Sequence, residues 1–117
     1  MSNGPAPGGV DAAGARLALG YLLPTREQVM LGRSDAGELL QLAARAEQLG
    51  FDSLWAGDSL LARPRHDPLT LLAAIAARSV RPLLGTAILM PVLRNPVVLA
   101  QQVATIDQLS GGRFVLG

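Results

Sequence analysis

The segment "LLGTAILMPVLRNPVVLAQQVATIDQLSGGRFVLG", residues 83–117, decides the fold. Its first eight residues, 83–90, are almost continuously apolar, which is typical of a strand buried on both faces of a parallel sheet. A helix start follows, with Asn95 as N-cap and Pro96 at the first helical position, where the missing N–H of proline costs nothing. A Gly-Gly turn then leads into residues 112–117, which predict another short strand. This order indicates one parallel βαβ unit.

The helix of this unit, predicted over residues 95–111, has one apolar stripe at helical spacing. The residues of the stripe are Leu99, Val103, Ile106 and Leu109. We expect these side chains to pack against the sheet. Because "SGGR" ends the helix and turns the chain, it needs no catalytic explanation.

The same alternation of strand and helix continues towards the N-terminus. Residues 17–24 and 51–58 predict two further strands, and residues 25–34 predict a loop. Helices are predicted over 35–50 and over 67–79. The full order is therefore β-α-β-α-β-α-β, which is typical of a parallel sheet with helical crossovers.

The predicted helices carry start and stop signals. Asp35 with Glu38 resembles a capping box, and Gly50 suits the C′ position after the same helix. Asp67 and Pro68 form the N-cap and first position of the next helix. Two architectures fit this pattern, the open doubly wound sheet and the (β/α)8 barrel. No G-x-G-x-x-G and no G-x-x-x-x-G-K-[ST] segment is present, so neither nucleotide-binding motif supports a choice.

Composition excludes several classes of function. The chain has 117 residues, half of them apolar, and a formal net charge of +1, so it lacks the basic patch expected of a nucleic-acid partner. It contains no cysteine and one histidine, which excludes disulfides and makes a metal site unexpected. No stretch is long enough to span a bilayer. Residues 1–15 are rich in Gly and Pro, carry no secretory signal and predict a disordered tail, so we expect a cytoplasmic protein.

Three segments are similar to a known family. They are "GFDSLWAGD" (50–58), "DPLTLLAAIAA" (67–77) and "LGTAILMPVLRNPVVLAQQVATIDQLSGGRFVLG" (84–117), and they resemble the luciferase-like flavin-dependent oxidoreductases. That family includes bacterial luciferase, alkane sulfonate monooxygenase and the reductases that use the deazaflavin F420. The resemblance implies an α/β fold, a partial (β/α)8 TIM barrel. Residues 16–117 are then its N-terminal half, with the first four parallel strands and three helices.

The resemblance also implies a function. The first expectation is a fragment of a monooxygenase that uses reduced FMN and O2 on a small-molecule substrate. The alternative is an F420-dependent hydride-transfer reductase or dehydrogenase. Because such barrels need roughly 250 residues, we expect the 117-residue chain alone to be inactive, and the full-length version to be a dimer. A non-catalytic truncated relic, or a half-barrel that assembles with a partner, is the alternative of a different class.

Candidate cofactor-binding residues lie where predicted strands end, because active sites of these barrels lie at the C-terminal ends of the strands. The resemblance places a bulge with a non-proline cis peptide at Ala87–Ile88, against the middle ring of the cofactor, with Met90 beside it. Asp58 and Ser59 follow the second strand. Many F420-dependent relatives have Asp-His there, so Ser59 weakens the case for a histidine acid or base, and the catalytic residue stays unassigned.

Other residues near these ends have a structural and a functional interpretation. Trp55 is interpreted as packing in the second strand, and His66 as a loop histidine with a minor chance of catalysis. Arg63 and Arg65 could attract an anionic cofactor or substrate, although surface arginines are common. Arg94 is expected on the rim. In the family, loops after strands seven and eight hold phosphate groups, so we expect this chain alone to hold a flavin phosphate poorly.

Overall fold

The structure is a computed structural model that describes residues 14–33 and 35–117. Its strands are β1 (Gly20–Leu22), β2 (Ser53–Ala56), β3 (Leu83–Thr86) and β4 (Phe114–Val115). Its helices are α1 (Thr25–Met30), α2 (Ala36–Gln48), α3 (Pro68–Ala76) and α4 (Pro96–Ser110), with a short 3-10 helix over Pro91–Leu93. The predicted tail falls, up to residue 13, outside the described residues. None of the described helices is long and apolar enough to cross a membrane.

The four strands form one parallel sheet in the order β1-β2-β3-β4. Leu22 pairs with Trp55, Trp55 with Gly85, and Gly85 with Val115. Neighbouring strands follow one another in sequence and run parallel. Each connection must therefore run back from the C-terminal end of one strand to the N-terminal end of the next. The α/β class with four parallel strands is therefore confirmed.

Helices α2, α3 and α4 cover one face of the sheet, and the main core is buried there. Leu54 and Leu84, from the two central strands, are fully buried. They pack in one cluster with residues from α2 and α3, namely Leu39, Ala43, Ala46, Leu71, Leu72, Ile75 and Ala76. A smaller cluster joins α3 to α4 through Leu69, Leu89, Leu99 and Ile106. Burial of these aliphatic side chains is the main stabilising contribution to the fold.

The opposite face of the sheet carries the indole of Trp55, which lies across the neighbouring strands. A Cβ placed on Gly85 would approach the six-membered ring to 2.2 Å, and one on Gly20 would approach Nε1 to 2.7 Å. The Nε1–H donates to Ser53 Oγ at 2.8 Å. Trp55 is therefore a packing residue, as expected, and the two flanking glycines make room for its ring.

The predicted helix signals are present. Asp67 accepts from Thr70 N at 2.8 Å, and Asn95 accepts from Val97 N at 2.9 Å. Asp35 accepts from Gly37 N and therefore caps α2. The donor is the N–H one residue before Glu38, the residue of the predicted capping box. Each cap satisfies an N–H group that the first helical turn leaves without a partner.

The structure corrects four details of the sequence prediction. The segment 25–34, expected to be a loop, contains α1, because "TREQVM" has good helix formers but no long apolar stripe to reveal it. The strand expected over 83–90 ends at Thr86. In α4, Ser110 rather than Leu109 continues the buried side after Ile106, because residues four positions apart lie on the same side of a helix. Leu109 is half exposed. The helical spacing of residues 35–50 also predicts Leu49 on the buried face with Leu39, Ala43 and Ala46, but Leu49 follows the last residue of α2 and is half exposed.

Arg113 holds the start of β4 in place. Its guanidinium donates to Ser110 O at 2.6 Å, Pro82 O at 2.8 Å and Ser79 O at 2.9 Å. These carbonyls belong to the end of α4 and to the turn between α3 and β3. The side chain thus connects these segments at the N-terminal ends of β3 and β4.

Candidate functional site

The backbone leaves the regular ladder directly after β3. Ala87 N donates to Ala56 O at 2.8 Å on the β2 side, and Leu89 N donates to Gly117 O at 2.8 Å on the β4 side. Between these two bonds the Ala87–Ile88 peptide is cis, as the resemblance implies. Leu89 is buried, whereas the Ile88 side chain is 73% exposed. The C-terminal edge of the sheet therefore presents an exposed apolar side chain on a backbone segment bonded to both neighbours.

Asp58, the second residue after β2, lies under this segment. Its side chain is only 3% exposed. Its Oδ2 accepts from Met90 N at 2.9 Å and from Arg94 Nη2 at 3.1 Å. The carboxylate therefore fixes the backbone that follows Ile88. A direct contact between Asp58 and a cofactor stays a prediction.

Arg94 links this carboxylate to the start of α3. Its Nη2 also donates to Asp67 Oδ1 at 3.1 Å, and its side chain is 13% exposed. Burial lowers the pKa of Arg94, but the bonds to Asp58 and Asp67 outweigh burial and raise it above its ordinary value. The guanidinium is therefore charged. Arg94 bridges two carboxylates, which goes beyond the rim position expected from the sequence.

Asp67 is both the cap of α3 and the second carboxylate of this cluster. Burial raises its pKa, but hydrogen bonds from Thr70 N and Oγ1 and from Arg94 outweigh burial. The pKa of Asp67 is therefore held below its ordinary value, and the carboxylate is ionised at neutral pH. We call Asp58, Arg94 and Asp67 the carboxylate–arginine cluster.

Ser59 and Met90 complete the set of predicted contacts. Ser59 Oγ donates to Arg63 O at 3.0 Å, so in this structure the hydroxyl closes its own loop. The side chain of Met90 is partly exposed beside Ile88. The structure therefore brings Ala87, Ile88, Met90 and Asp58 together, and it directs the Ser59 hydroxyl to the loop. Contact of these five residues with a cofactor stays a prediction.

Arg65 lies at the same edge, over Gly57. A Cβ on Gly57 would fall 2.0 Å from Arg65 Nη1 and 3.4 Å from the carbonyl oxygen of Ala87. The guanidinium therefore occupies the space that a side chain at residue 57 would fill, next to the segment that bears Ile88. Arg63, two residues earlier, is exposed.

His66 takes a different direction. It is half-buried and lines, with Asp67, Ala36 and Leu40, a cavity of about 240 Å³ between α2 and α3. This placement is on the helical side of the sheet. The structure gives no geometric reason to assign His66 a catalytic role.

Contact of this edge with the planar ring of a flavin or deazaflavin stays a prediction. Such a ring needs an apolar surface with close backbone approach and a few polar groups around it. Ile88 supplies the apolar surface, and the Arg65 guanidinium, which occupies the space over Gly57, supplies a polar group beside it. The carboxylate–arginine cluster is hydrogen-bonded to the backbone after Ile88 through Met90 N, and a preorganised cofactor site requires support of this kind.

Comparison with known proteins identifies the family. The luciferase-like monooxygenase family model matches residues 17–117. The chain belongs to this luciferase-like family. Over 116 residues it is 38% identical to an F420-dependent glucose-6-phosphate dehydrogenase of Kineococcus radiotolerans, and the match covers 92% of this chain and 32% of that protein.

Two solved structures show the same fold. The monooxygenase RslO1 from Streptomyces bottropensis is 30% identical, with a TM-score of 0.69 over 86% of this chain and 32% of that one. A type II Baeyer-Villiger monooxygenase component from Pseudomonas putida, solved in complex with FMN, is 21% identical, with a TM-score of 0.75 over 86% of this chain and 29% of that one. This luciferase-like chain thus spans about a third of the length of the proteins it matches.

Sequence reasoning missed the connections made by Arg94 and Arg65. Arg94 was placed on the rim, although it joins residues 36 and 27 positions away. The family segment "LRNP" marks the position of Arg94 before the cap of α4, but it does not indicate the two carboxylates that Arg94 contacts. Nothing in the sequence indicated that Arg65 would lie over Gly57.

Proposed function

We propose that this chain forms part of the cofactor site of an F420-dependent oxidoreductase that acts on a small molecule. The observation that carries the proposal is the 38% identity to an F420-dependent glucose-6-phosphate dehydrogenase over 92% of this chain. The geometry agrees, because the edge offers exposed Ile88 on a supported backbone. A cytoplasmic location and a homodimer stay predictions from the resemblance.

The bound deazaflavin would supply hydride transfer to or from a carbon of the substrate. The chain's own residues act on binding and orientation. Ile88 would lie against the ring and exclude water from that side, with Ala87 and Met90 at its borders. Asp58 would hold the segment through Met90 N rather than touch the reacting atoms. Many F420-dependent relatives have a histidine, which can transfer a proton, at the position of Ser59. Because this chain has serine there, we assign no proton-transfer step to that position.

A binding titration tests this function. We would titrate the purified protein anaerobically with F420 and with FMN, following cofactor fluorescence. Ile88→Asp places a charge against the ring and is expected to weaken F420 binding by about tenfold or more. Val80→Asp adds the same charge at an exposed residue in the turn before β3, and is expected to bind like the parent protein.

Three outcomes bear on the proposal. F420 binding that Ile88→Asp weakens and Val80→Asp preserves supports it. Equal binding by the two variants contradicts the placement of the ring. If the folded protein binds neither cofactor, the oxidoreductase proposal fails for this chain, and the non-catalytic assembly partner becomes the better explanation.

An FMN-dependent monooxygenase is the second candidate. It is supported by the 30% identity to the monooxygenase RslO1 and by Ser59, which stands where many F420-dependent relatives have histidine. Tight binding of reduced FMN, together with weak binding of F420, would favour this candidate. Oxygen consumption by the FMN-loaded protein would then separate a monooxygenase from a reductase.

A further inference from the structure

Arg65 lies at the C-terminal edge and forms no ion pair within the described residues, although its charge acts on Glu27 from a longer distance. Among residues 14–33 and 35–117, no carboxylate lies within ion-pair distance of its guanidinium. Its Nε is buried and makes no hydrogen bond within that part of the chain. A partly buried charge without a partner is costly unless something neutralises it. The arrangement is therefore suited to an external anion.

The position of the guanidinium is fixed by a missing side chain. Gly57 leaves room for Arg65 Nη1 directly above its Cα, because a Cβ there would be 2.0 Å away. The charge of Arg65 contributes to the lowering of the pKa of Glu27 in α1, after larger effects from the Glu27 backbone and from Arg26. Glu27 already pairs with Arg26 at 2.9 Å. The Arg65 guanidinium therefore remains available.

The neighbourhood of Arg65 indicates where the anion would lie. The Ala87 carbonyl oxygen is 3.4 Å from the same Cβ position on Gly57. Arg65 therefore borders the segment Ala87–Ile88 rather than the outer helical surface. A molecule resting on Ile88 would present its edge to the guanidinium, whose planar fork matches the two oxygens of a carboxylate or phosphate.

We propose that Arg65, seated on Gly57, is an anion-binding residue that contacts a negatively charged oxygen of the small molecule bound against Ala87–Ile88. The choice of that molecule rests on the proposed function, but the anion site itself does not. The oxygen can belong to the cofactor or to a carboxylate or phosphate of the substrate. The shared chemistry is a planar anionic group, and two arms of one experiment separate the sources.

The first arm uses the cofactor-free protein and inorganic phosphate as the probe. NMR of arginine Nε–Hε groups follows the titration, and Arg65→Lys assigns the Arg65 signal by its loss. We expect phosphate to shift this signal. Arg65→Ala is expected to weaken phosphate binding about 10- to 100-fold, the usual effect of losing a charged hydrogen bond, and Arg65→Lys is expected to retain part of it.

Gly57→Ala is the decisive variant, because it keeps the charge of Arg65 and fills only the space over residue 57 that the guanidinium occupies. The far end of a flexible side chain can move aside, so this variant should fold, and circular dichroism with a thermal midpoint checks that it does. It is expected to weaken phosphate binding as much as Arg65→Ala. Arg63→Ala removes an exposed arginine of the same loop and is expected to bind phosphate like the parent protein.

The second arm repeats the titrations with F420 and with FMN. A 10- to 100-fold loss of cofactor affinity in Arg65→Ala and Gly57→Ala assigns the anionic oxygen to the cofactor. Weakened phosphate binding with unchanged cofactor affinity assigns it to the substrate. Phosphate binding through Arg65 without affinity for either cofactor refutes the proposed function and leaves the anion site standing.

Two results overturn the inference. The first is an Arg65 signal that phosphate does not move. The second is a Gly57→Ala variant that folds and binds both phosphate and cofactor like the parent protein. An equal loss of phosphate binding in Arg63→Ala would show general surface attraction and would count against it too.

Discussion

Asp58 and Arg94 form an ion pair of 3.1 Å across 36 residues of sequence, and both side chains are largely shielded from solvent. The pair joins the end of β2 to the residue before the cap of α4. Since Asp58 also accepts from Met90 N, the pair sets the path of the backbone that leaves β3. Fold and candidate site therefore depend on the same contact.

Arg94→Met is expected to destabilise the protein by about 3 kcal/mol, because it leaves the Asp58 carboxylate buried without its cation. Urea denaturation at pH 7 measures the free energy of unfolding. Arg26→Met is the matched control, since its pair with Glu27 is exposed and worth less than about 1 kcal/mol. Similar losses in the two variants would show that burial of the Asp58–Arg94 pair adds nothing.

The pKa of Asp67 gives a pH dependence. Hydrogen bonds from Thr70 and Arg94 outweigh the effect of burial and lower this pKa in the folded state, so the unfolded state binds the proton more readily. The stabilisation is present above the unfolded pKa of about 3.9 and is lost as pH falls through the folded pKa. We therefore expect the free energy of unfolding to decrease as the pH drops below about 4.

Asp67→Asn tests this dependence while keeping an oxygen that can cap α3. Its stability deficit should be largest at pH 7 and should shrink as pH falls through the acid range. Thr70→Val removes the Oγ1 donor but keeps the Thr70 N–H donor, so it should flatten the acid slope only in part. A deficit for Asp67→Asn that is constant between pH 7 and pH 3 would contradict the linkage.

The sequence predicts those parts of the fold that depend on neighbouring residues. The caps Asp67 and Asn95 were identified because capping involves residues two or three positions apart. The parallel order followed from alternating apolar runs. Helix α1 was missed because six residues leave too short a pattern, and β3 was predicted too long because apolar residues 87–90 resemble strand even where the backbone turns away.

The site could be predicted only in outline. Family resemblance located the edge and the residues Ala87 and Ile88. The roles of Arg94 and Arg65 depend on contacts across the sheet, which local periodicity does not encode. Cofactor contact by Asp58 stays a prediction, but its hydrogen bonds with Met90 N and Arg94 were not predicted. Such long-range polar pairing is visible only after the strands are placed in register.

Gly85→Ala is expected to destabilise the sheet by roughly 1–3 kcal/mol through overpacking. The added methyl would fall 2.2 Å from Cζ3 of Trp55, and moving the ring away would disturb the hydrogen bond that Nε1–H donates to Ser53 Oγ at 2.8 Å. Thermal unfolding followed by far-ultraviolet circular dichroism measures the loss. In the Trp55→Leu background the same substitution should cost less, and an unchanged cost would show that the ring is not the cause.

Arg113→Lys is expected to cost about 2–3 kcal/mol, although the charge is kept. A lysine ammonium cannot reproduce the fork that donates to Ser110 O, Pro82 O and Ser79 O, and carbonyls left without partners are costly. Urea denaturation gives the free energy, and amide exchange at Leu84, whose N–H donates to Arg113 O at 2.8 Å, should accelerate. Arg78→Lys, at an exposed arginine near the end of α3, should stay within about 0.5 kcal/mol of the parent protein. If the two lysine variants are equally stable, the fork geometry of Arg113 does not matter and its role reduces to charge.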